Sequence, residues 1–75
     1  MPSGAAGRPT FSLVIPLFNE EAVLPVLLHR LDRLLDALDG PAEVLLVDDG
    51  SRDTTGIVAA ARAAADPRYR YVALS

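Results

Sequence analysis

Two adjacent carboxylates, Asp48 and Asp49, follow directly after the apolar run 44–47, which contains only Val and Leu. A short run of this kind is typical of a strand buried on both faces in a parallel α/β sheet. Open sheets of this class bind ligands beyond the carboxyl ends of their strands, where an acidic side chain can accept a hydrogen bond from a ribose hydroxyl or a base N–H. The pair therefore indicates a ligand site at this edge.

The residues after the two carboxylates have turn and helix-start chemistry. Gly50 and Ser51 break the strand, and Asp53 can cap a helix that begins at Thr54. Since Asp is also common in turns, the two carboxylates could do no more than accept backbone N–H bonds. Adjacent side chains on a strand diverge, so only one of them can point at a ligand. We expect Asp48 to make the direct contact and Asp49 to serve the turn.

A second polar loop follows the first predicted strand, which spans 11–16 and ends at Pro16. Asn19 and Glu20 come next, ahead of an amphipathic helix. If the two strands are parallel neighbours, residues 16–21 and 48–51 emerge at the same edge of the sheet and form one candidate pocket.

Several residues near this pocket carry more than one interpretation. Phe18, on the loop, could stack on a nucleobase or pack against the loop after the second strand. The carboxylate of Glu21 stabilises the dipole of the first helix, which it precedes. Ser51 is a turn or cap residue, Arg52 is a solvated side chain that could reach a phosphate, and His29 lies on the surface or in a groove of the first helix.

The chain alternates strands with helices, which predicts right-handed crossovers and a parallel β-α-β-α-β sheet with the first strand beside the second. The predicted strands span 11–16, 43–48 and 69–74. The first helix begins between residues 21 and 25, with Pro25 tolerated in the first turn, and ends near residue 38. The second helix spans 54–65. The predicted apolar stripes are Leu24, Leu27, Leu28, Leu31, Leu34, Leu35 and Leu38 in the first helix, and Ile57, Val58, Ala61 and Ala65 in the second.

Composition excludes several classes of protein. The chain has 75 residues, no Cys and one His, so it has no disulfide framework and no thiolate metal site. A net charge of −3 gives no basic stripe, which argues against nucleic-acid binding. No apolar run approaches the length of a membrane span. There is no G-x-G-x-x-G after the first strand and no P-loop motif. We expect residues 1–10 to be a disordered lead-in.

Residues 14–21, followed at this spacing by 44–55, resemble the start of family 2 glycosyltransferases, which have the GT-A fold and use nucleotide-activated sugars. Residues 19–28 are similar to the polyprenyl-phosphate branch, which includes the dolichyl-phosphate and bactoprenol enzymes. The resemblance covers 11–74. It implies that the chain is the donor-nucleotide-binding half of the fold, with residues 11–75 as the amino-terminal part of a longer, here truncated, domain.

By this resemblance, the base and ribose would lie against the first loop, and Leu46 and Asp48 would contact the base from the second strand. Phe18 stands where the family usually has Tyr. The implied nucleotide-sugar-binding residues are Pro16, Phe18, Asn19, Glu20, Leu46, Asp48 and Asp49, and none of them is catalytic.

The resemblance also implies the rest of the reaction. The donor would be a UDP- or GDP-sugar, the acceptor a polyprenyl phosphate, and the location the cytoplasmic face of the membrane. Mg²⁺ or Mn²⁺ would be held by a D-x-D motif that this sequence does not contain. Two alternatives remain: a receiver-like signalling module, which would need a phospho-accepting Asp on a later strand, and an inactive structural fragment.

Overall fold

A computed structural model describes residues 10–74. It contains, in chain order, β1 (Phe11–Leu17), α1 (Leu24–Ala37), β2 (Ala42–Asp49), α2 (Thr55–Ala65) and β3 (Tyr69–Leu74). Most of the predicted lead-in, residues 1–9, lies outside the described residues. Its last residue, Thr10, already belongs to the fold, because its N–H donates to the carbonyl of Pro41 at 2.7 Å.

The three strands form one parallel sheet in the order β1-β2-β3, with Leu17 of β1 level with Asp48 of β2. This confirms the predicted α/β class, the β-α-β-α-β order and the pairing of the first strand with the second. Buried residues of α1 and α2 share one core with Val44 and Leu46 of β2, so both helices lie on the same face of the sheet, in agreement with the right-handed crossovers that parallel strands favour. The carboxyl ends of all three strands meet at one edge, as the sequence predicts.

Pro16 does not end the first strand, and that prediction is wrong. β1 continues to Leu17, and Pro16 pairs in register with Val47 of β2. Proline is tolerated here because β1 is an edge strand of the described sheet, where a residue without an N–H leaves no ladder bond unmade.

The hydrophobic core lies between the sheet and the two helices. The buried apolar residues are Leu17, Leu24, Leu28, Leu31, Leu35, Val44, Leu46, Ala59 and Tyr69. The opposite face of the sheet has no helix among the described residues, and it presents partly or largely exposed apolar side chains such as Val14, Val72 and Leu74. The prediction that β2 is buried on both faces is therefore wrong for the described chain, since Leu45 and Val47 are only half-buried.

The helix stripes agree with the sequence for α1 but not for α2. In α1 the predicted leucines are buried or half-buried, apart from Leu34, which is 43% exposed. In α2 the predicted stripe is wrong: Ile57 is 72% exposed, while Thr55 and Ala59 are buried. An alanine-rich helix gives little hydrophobic contrast between its faces, so its pattern does not reveal which face packs on the sheet.

A polar cluster lies at the end of the sheet opposite to the candidate pocket. The carboxylate of Asp32 in α1 accepts hydrogen bonds from Arg62 of α2 and from the Tyr69 hydroxyl, both at 2.5 Å. The hydrogen bond from Tyr69, together with the nearby guanidinium groups, lowers the pKa of Asp32 despite its partial burial. None of the helices in the described part of the chain is long and apolar enough to cross a bilayer.

Candidate functional site

The loops that follow β1 and β2 are joined by reciprocal hydrogen bonds. The N–H of Asn19 donates to Oγ of Ser51 at 2.9 Å, and the N–H of Arg52 donates back to Oδ1 of Asn19 at 2.8 Å. Asn19 adopts a φ of 50°, in the left-handed region that Asn tolerates better than most residues. The sequence prediction that the two loops meet at one edge is thus confirmed.

A second set of bonds ties the first loop to the start of α2. The N–H of Glu21 donates to Oδ2 of Asp53 at 3.2 Å, and Thr54 donates both its N–H and its hydroxyl to Oε1 of Glu21, each at 2.9 Å. The N–H of Glu20 donates to Oγ1 of Thr55 at 2.7 Å. Glu21 was expected to act on the helix that follows it in sequence. That prediction is wrong, because its carboxylate is bonded to the beginning of α2.

The start of α2 differs from the prediction by one residue. The helix begins at Thr55, with Thr54 at the N-cap position and no capping bond from its own side chain. Asp53 lies one residue earlier, and its Oδ1 accepts the N–H of Thr55 at 2.9 Å. Asp53 therefore satisfies a donor of the first turn, as predicted, but from outside the N-cap position.

Of the two adjacent carboxylates, it is Asp48 that is buried and bonded to the turn. Asp48 is only 5% exposed. Its Oδ1 accepts the N–H of Ser51 at 2.9 Å and its Oδ2 accepts the hydroxyl of Tyr71 at 3.0 Å. The hydrogen bonds from Ser51, and then that from Tyr71, lower the pKa of the Asp48 carboxyl against the opposing effect of burial. Asp48 is thus the residue whose side chain holds the turn, and the assignment of the turn to Asp49 is wrong.

Side-chain alternation along β2 explains why Asp48, and not Asp49, bonds to the turn. Val44, Leu46 and Asp48 point to the helix layer and are buried, so Asp49 points to the opposite side, where it is exposed. The prediction that Leu46 contacts a base is also wrong, because this side chain has no exposed surface in the core. Pro16 is exposed on the same side of the sheet as Asp49.

Phe18 and Glu20 lie on the rim formed by the first loop. Phe18 is 57% exposed, so it is not a core residue of the described chain. It follows Leu17, the last residue of β1, and Asp49 follows Asp48, the register partner of Leu17. Both residues therefore lie at the carboxyl edge of the strands. Glu20 is half-buried.

The sequence reasoning missed two residues that support this edge. Tyr71 of β3 binds Asp48, and Gly56, in the first turn of α2, leaves the space that they occupy: a Cβ on Gly56 would lie 2.8 Å from both Oδ2 of Asp48 and the hydroxyl of Tyr71. The alternation of Tyr69 and Tyr71 placed both rings on one face, and a glycine inside a helix start is itself a signal of close approach.

Within residues 10–74, no three His, Asp or Glu side chains come together as possible metal ligands. The sequence of β3 contains no acidic residue, and so it lacks the later-strand Asp that a receiver-like module requires.

Comparisons with known proteins agree with this geometry. The family model described as glycosyl transferase family 2 matches residues 12–75. The chain is 44% identical over 63 residues to an undecaprenyl-phosphate 4-deoxy-4-formamido-L-arabinose transferase of Shewanella sediminis, a match that covers 84% of this chain and 19% of that protein. It is 45% identical over 65 residues to the protein of the same name in Pseudomonas syringae pv. syringae, covering 85% of this chain and 19% of the relative.

The chain thus spans about a fifth of the length of these curated relatives. The family match covers most of the chain, and it includes both loops of the candidate site and all three strands that position them. The chain therefore belongs to glycosyl transferase family 2.

Proposed function

We propose that this chain provides nucleotide recognition for a glycosyltransferase that moves a sugar from a nucleotide-sugar to a polyprenyl phosphate. The observation that supports it best is that the exposed Phe18 and the exposed Asp49 lie at the same edge of the sheet, one position beyond the paired residues Leu17 and Asp48. An aromatic face and a hydrogen-bond acceptor at the carboxyl ends of parallel strands suit a base and a ribose.

In this proposal, each residue of the edge has a separate task. The ring of Phe18 stacks on the base, and Asp49 accepts a hydrogen bond from a base N–H or a ribose hydroxyl. Pro16 and Glu20 line the same side, while Asn19 and Asp48 hold the loops in place through the backbone bonds described above. Because these bonds exist before any ligand binds, little ordering is needed on binding.

The proposed acceptor is inferred from the names of the relatives, and the proposed location from the solubility of the two substrates. The names of the Shewanella and Pseudomonas proteins specify undecaprenyl phosphate, a lipid, and we extend a polyprenyl phosphate acceptor to this chain. Since nucleotide-sugars are water-soluble and the acceptor is a membrane lipid, we place the reaction at the cytoplasmic face of a membrane. A phosphate oxygen of the acceptor attacks the anomeric carbon, and the nucleoside diphosphate leaves. Mg²⁺ or Mn²⁺ would offset the charge of that diphosphate, on ligands other than those of residues 10–74.

The proposal is tested by nuclear magnetic resonance on the ¹⁵N-labelled chain, titrated with UDP, with GDP and, as a control, with pyrophosphate. We expect one of the nucleotides to shift the amide signals of residues 18–20 and 49–51, and pyrophosphate to leave them in place. Asp49→Asn should raise the dissociation constant about tenfold, which corresponds to the loss of one hydrogen bond to a charged group.

The matched control is Asp39→Asn, which changes an exposed acid in the turn after α1, at the opposite edge of the sheet. It should leave nucleotide affinity unchanged. A folded chain that binds neither nucleotide, or one that shifts only signals remote from the two loops, would contradict the proposal.

A further inference from the structure

Tyr71 connects the third strand to the candidate site, although neither of the site's loops belongs to that strand. Its hydroxyl donates to Oδ2 of Asp48 at 3.0 Å. Burial and the neighbouring carboxylate both raise the pKa of Tyr71, so the hydroxyl keeps its proton and remains a donor at neutral pH. The hydrogen bond joins β3 to the end of β2.

Further hydrogen bonds connect Asp48 to both loops. Its other oxygen, Oδ1, accepts the N–H of Ser51 at 2.9 Å, and Oγ of Ser51 accepts the N–H of Asn19 at 2.9 Å. The side chain of Asn19 then accepts the N–H of Arg52 at 2.8 Å. A continuous series of hydrogen bonds therefore runs from the hydroxyl of Tyr71 to the turn that follows Asp48 and to the loop that carries Phe18.

The packing around this contact fits that role. Asp48 is 5% exposed, so a carboxylate oxygen that lost the Tyr71 hydroxyl would have little access to water in exchange. Gly56 keeps the space open, because a Cβ there would lie 2.8 Å from each of the two oxygen atoms in the bond. Residues of β2, β3 and α2 thus meet at the hydrogen bond between the Tyr71 hydroxyl and the Asp48 carboxylate.

We infer that Tyr71 is a positioning residue for nucleotide binding: its hydroxyl fixes the rotamer of Asp48, and Asp48 in turn fixes the backbone that presents Asp49 and Phe18 to the ligand. This inference rests on the proposed function and assigns it a residue outside both loops. Tyr71 itself does not contact the nucleotide in this arrangement.

The chain contains a matched control two residues away on the same strand. Tyr69 also donates its hydroxyl to a carboxylate, that of Asp32, at 2.5 Å, but this pair lies at the far end of the sheet from the loops. Tyr71→Phe and Tyr69→Phe therefore each remove one tyrosine–aspartate hydrogen bond from the same face of the same strand. They differ in whether the bond leads to the site.

The experiment measures nucleotide affinity and amide hydrogen exchange in the wild-type chain and in both variants, with UDP and GDP as probes. We expect Tyr71→Phe to raise the dissociation constant about tenfold and to speed exchange of the Ser51 and Asn19 N–H groups relative to those of the sheet. Tyr69→Phe should change neither quantity. Gly56→Ala, which disturbs the same pair from α2, should resemble Tyr71→Phe.

The outcomes separate the two proposals. If the wild type binds and Tyr71→Phe binds equally well, or if Tyr69→Phe weakens binding as much, the positioning role is refuted and the proposed function stands. Unchanged exchange at Ser51 in Tyr71→Phe refutes the role without reference to any ligand. A folded wild-type chain without nucleotide affinity refutes both. Should Tyr71→Phe fail to fold, Gly56→Ala supplies the same comparison.

Discussion

Replacement of Gly56 by Ala should destabilise the chain, although alanine is the better helix former. Gly56 lies in the first turn of α2, where a Gly→Ala change gains at most about 1 kcal/mol of helix propensity. Against this, the new Cβ would lie 2.8 Å from Oδ2 of Asp48 and 2.8 Å from the hydroxyl of Tyr71, closer than a Cβ approaches another atom in practice. One of the two oxygen atoms must move, and the hydrogen bond between them is lost.

The size of the effect follows from the charge of the acceptor. A hydrogen bond to a charged group contributes about 1.5–3 kcal/mol, and Asp48 is too buried for water to replace its partner. Subtracting the gain in propensity leaves a net loss of about 0.5–2 kcal/mol in the free energy of unfolding. The loss should appear as a lower urea midpoint with an unchanged slope.

A control substitution in the same helix measures the effect of helix propensity alone on the free energy of unfolding. Ala61 is exposed, and Ala61→Gly should cost about 1 kcal/mol from propensity alone. In a double-mutant cycle, Gly56→Ala combined with Tyr71→Phe should cost less than the sum of the two single changes, since both act on one bond. If Gly56→Ala stabilised the chain by the amount that Ala61→Gly destabilises it, the close contact would have no energetic consequence and the reasoning would be refuted.

Three further predictions concern the loops, acid and activity. Asn19→Ala should lower the free energy of unfolding by about 1–2 kcal/mol, since it removes the acceptor for Arg52 and puts Ala, which tolerates a φ of 50° less well than Asn, at this position. Asn19→Gly removes the same acceptor but adopts that φ without strain, so it should cost less by the same urea assay. Hydrogen bonds from Tyr69 to Asp32, from Ser51 to Asp48 and from Arg68 to Asp66 lower the pKa of these three carboxyls below the ordinary Asp value of 3.8. Their contribution to stability is therefore complete above that pH and is lost as the pH falls through the lower folded values. Urea midpoints should therefore fall below pH 3.8, and a midpoint independent of pH there would contradict the assigned bonds. Finally, we expect the 75-residue chain alone to transfer no sugar from UDP- or GDP-sugars to a polyprenyl phosphate, with or without Mn²⁺, because no three candidate metal ligands come together within residues 10–74. Metal-dependent transfer in a radiolabel assay would show that the ligand set is misplaced.

The sequence was sufficient for the elements, their order and the meeting of the two loops, because strand and helix periodicities differ and because parallel strands end at a common edge. It was not sufficient for the roles of Asp48 and Asp49. The run 44–47 is apolar at every position, so it contains no alternation that would show which residues face the helices. Without that phase, Leu46 and Asp48 could be placed on the ligand side, whereas both belong to the helix side.

The same limitation affected α2, for a related reason. Six of the eleven residues of α2 are alanine and one is glycine, so side-chain size does not single out the buried positions, Thr55 and Ala59. A close approach of the helix to the sheet is encoded by small residues such as Gly56, whose function is to leave space. A stripe of large apolar side chains reveals the packing face of a helix that lies at an ordinary distance from the sheet, as in α1. It does not reveal the packing face of a helix that lies closer, as in α2.

The hydrogen bonds between the loops also limit which part of a nucleotide they can recognise. Backbone N–H groups are the usual means by which loops at helix starts bind phosphate. Here those of Asn19, Glu20, Glu21, Ser51, Arg52, Thr54 and Thr55 all donate to side-chain oxygen atoms of the chain itself. The exposed side chains of this edge include the ring of Phe18, the guanidinium of Arg52 and the carboxylate of Asp49, and a carboxylate repels phosphate. With these backbone donors engaged, the surface around Phe18 and Asp49 favours the base and ribose over the diphosphate. Pyrophosphate, which could bind Arg52 alone, is therefore the decisive control for the binding experiment.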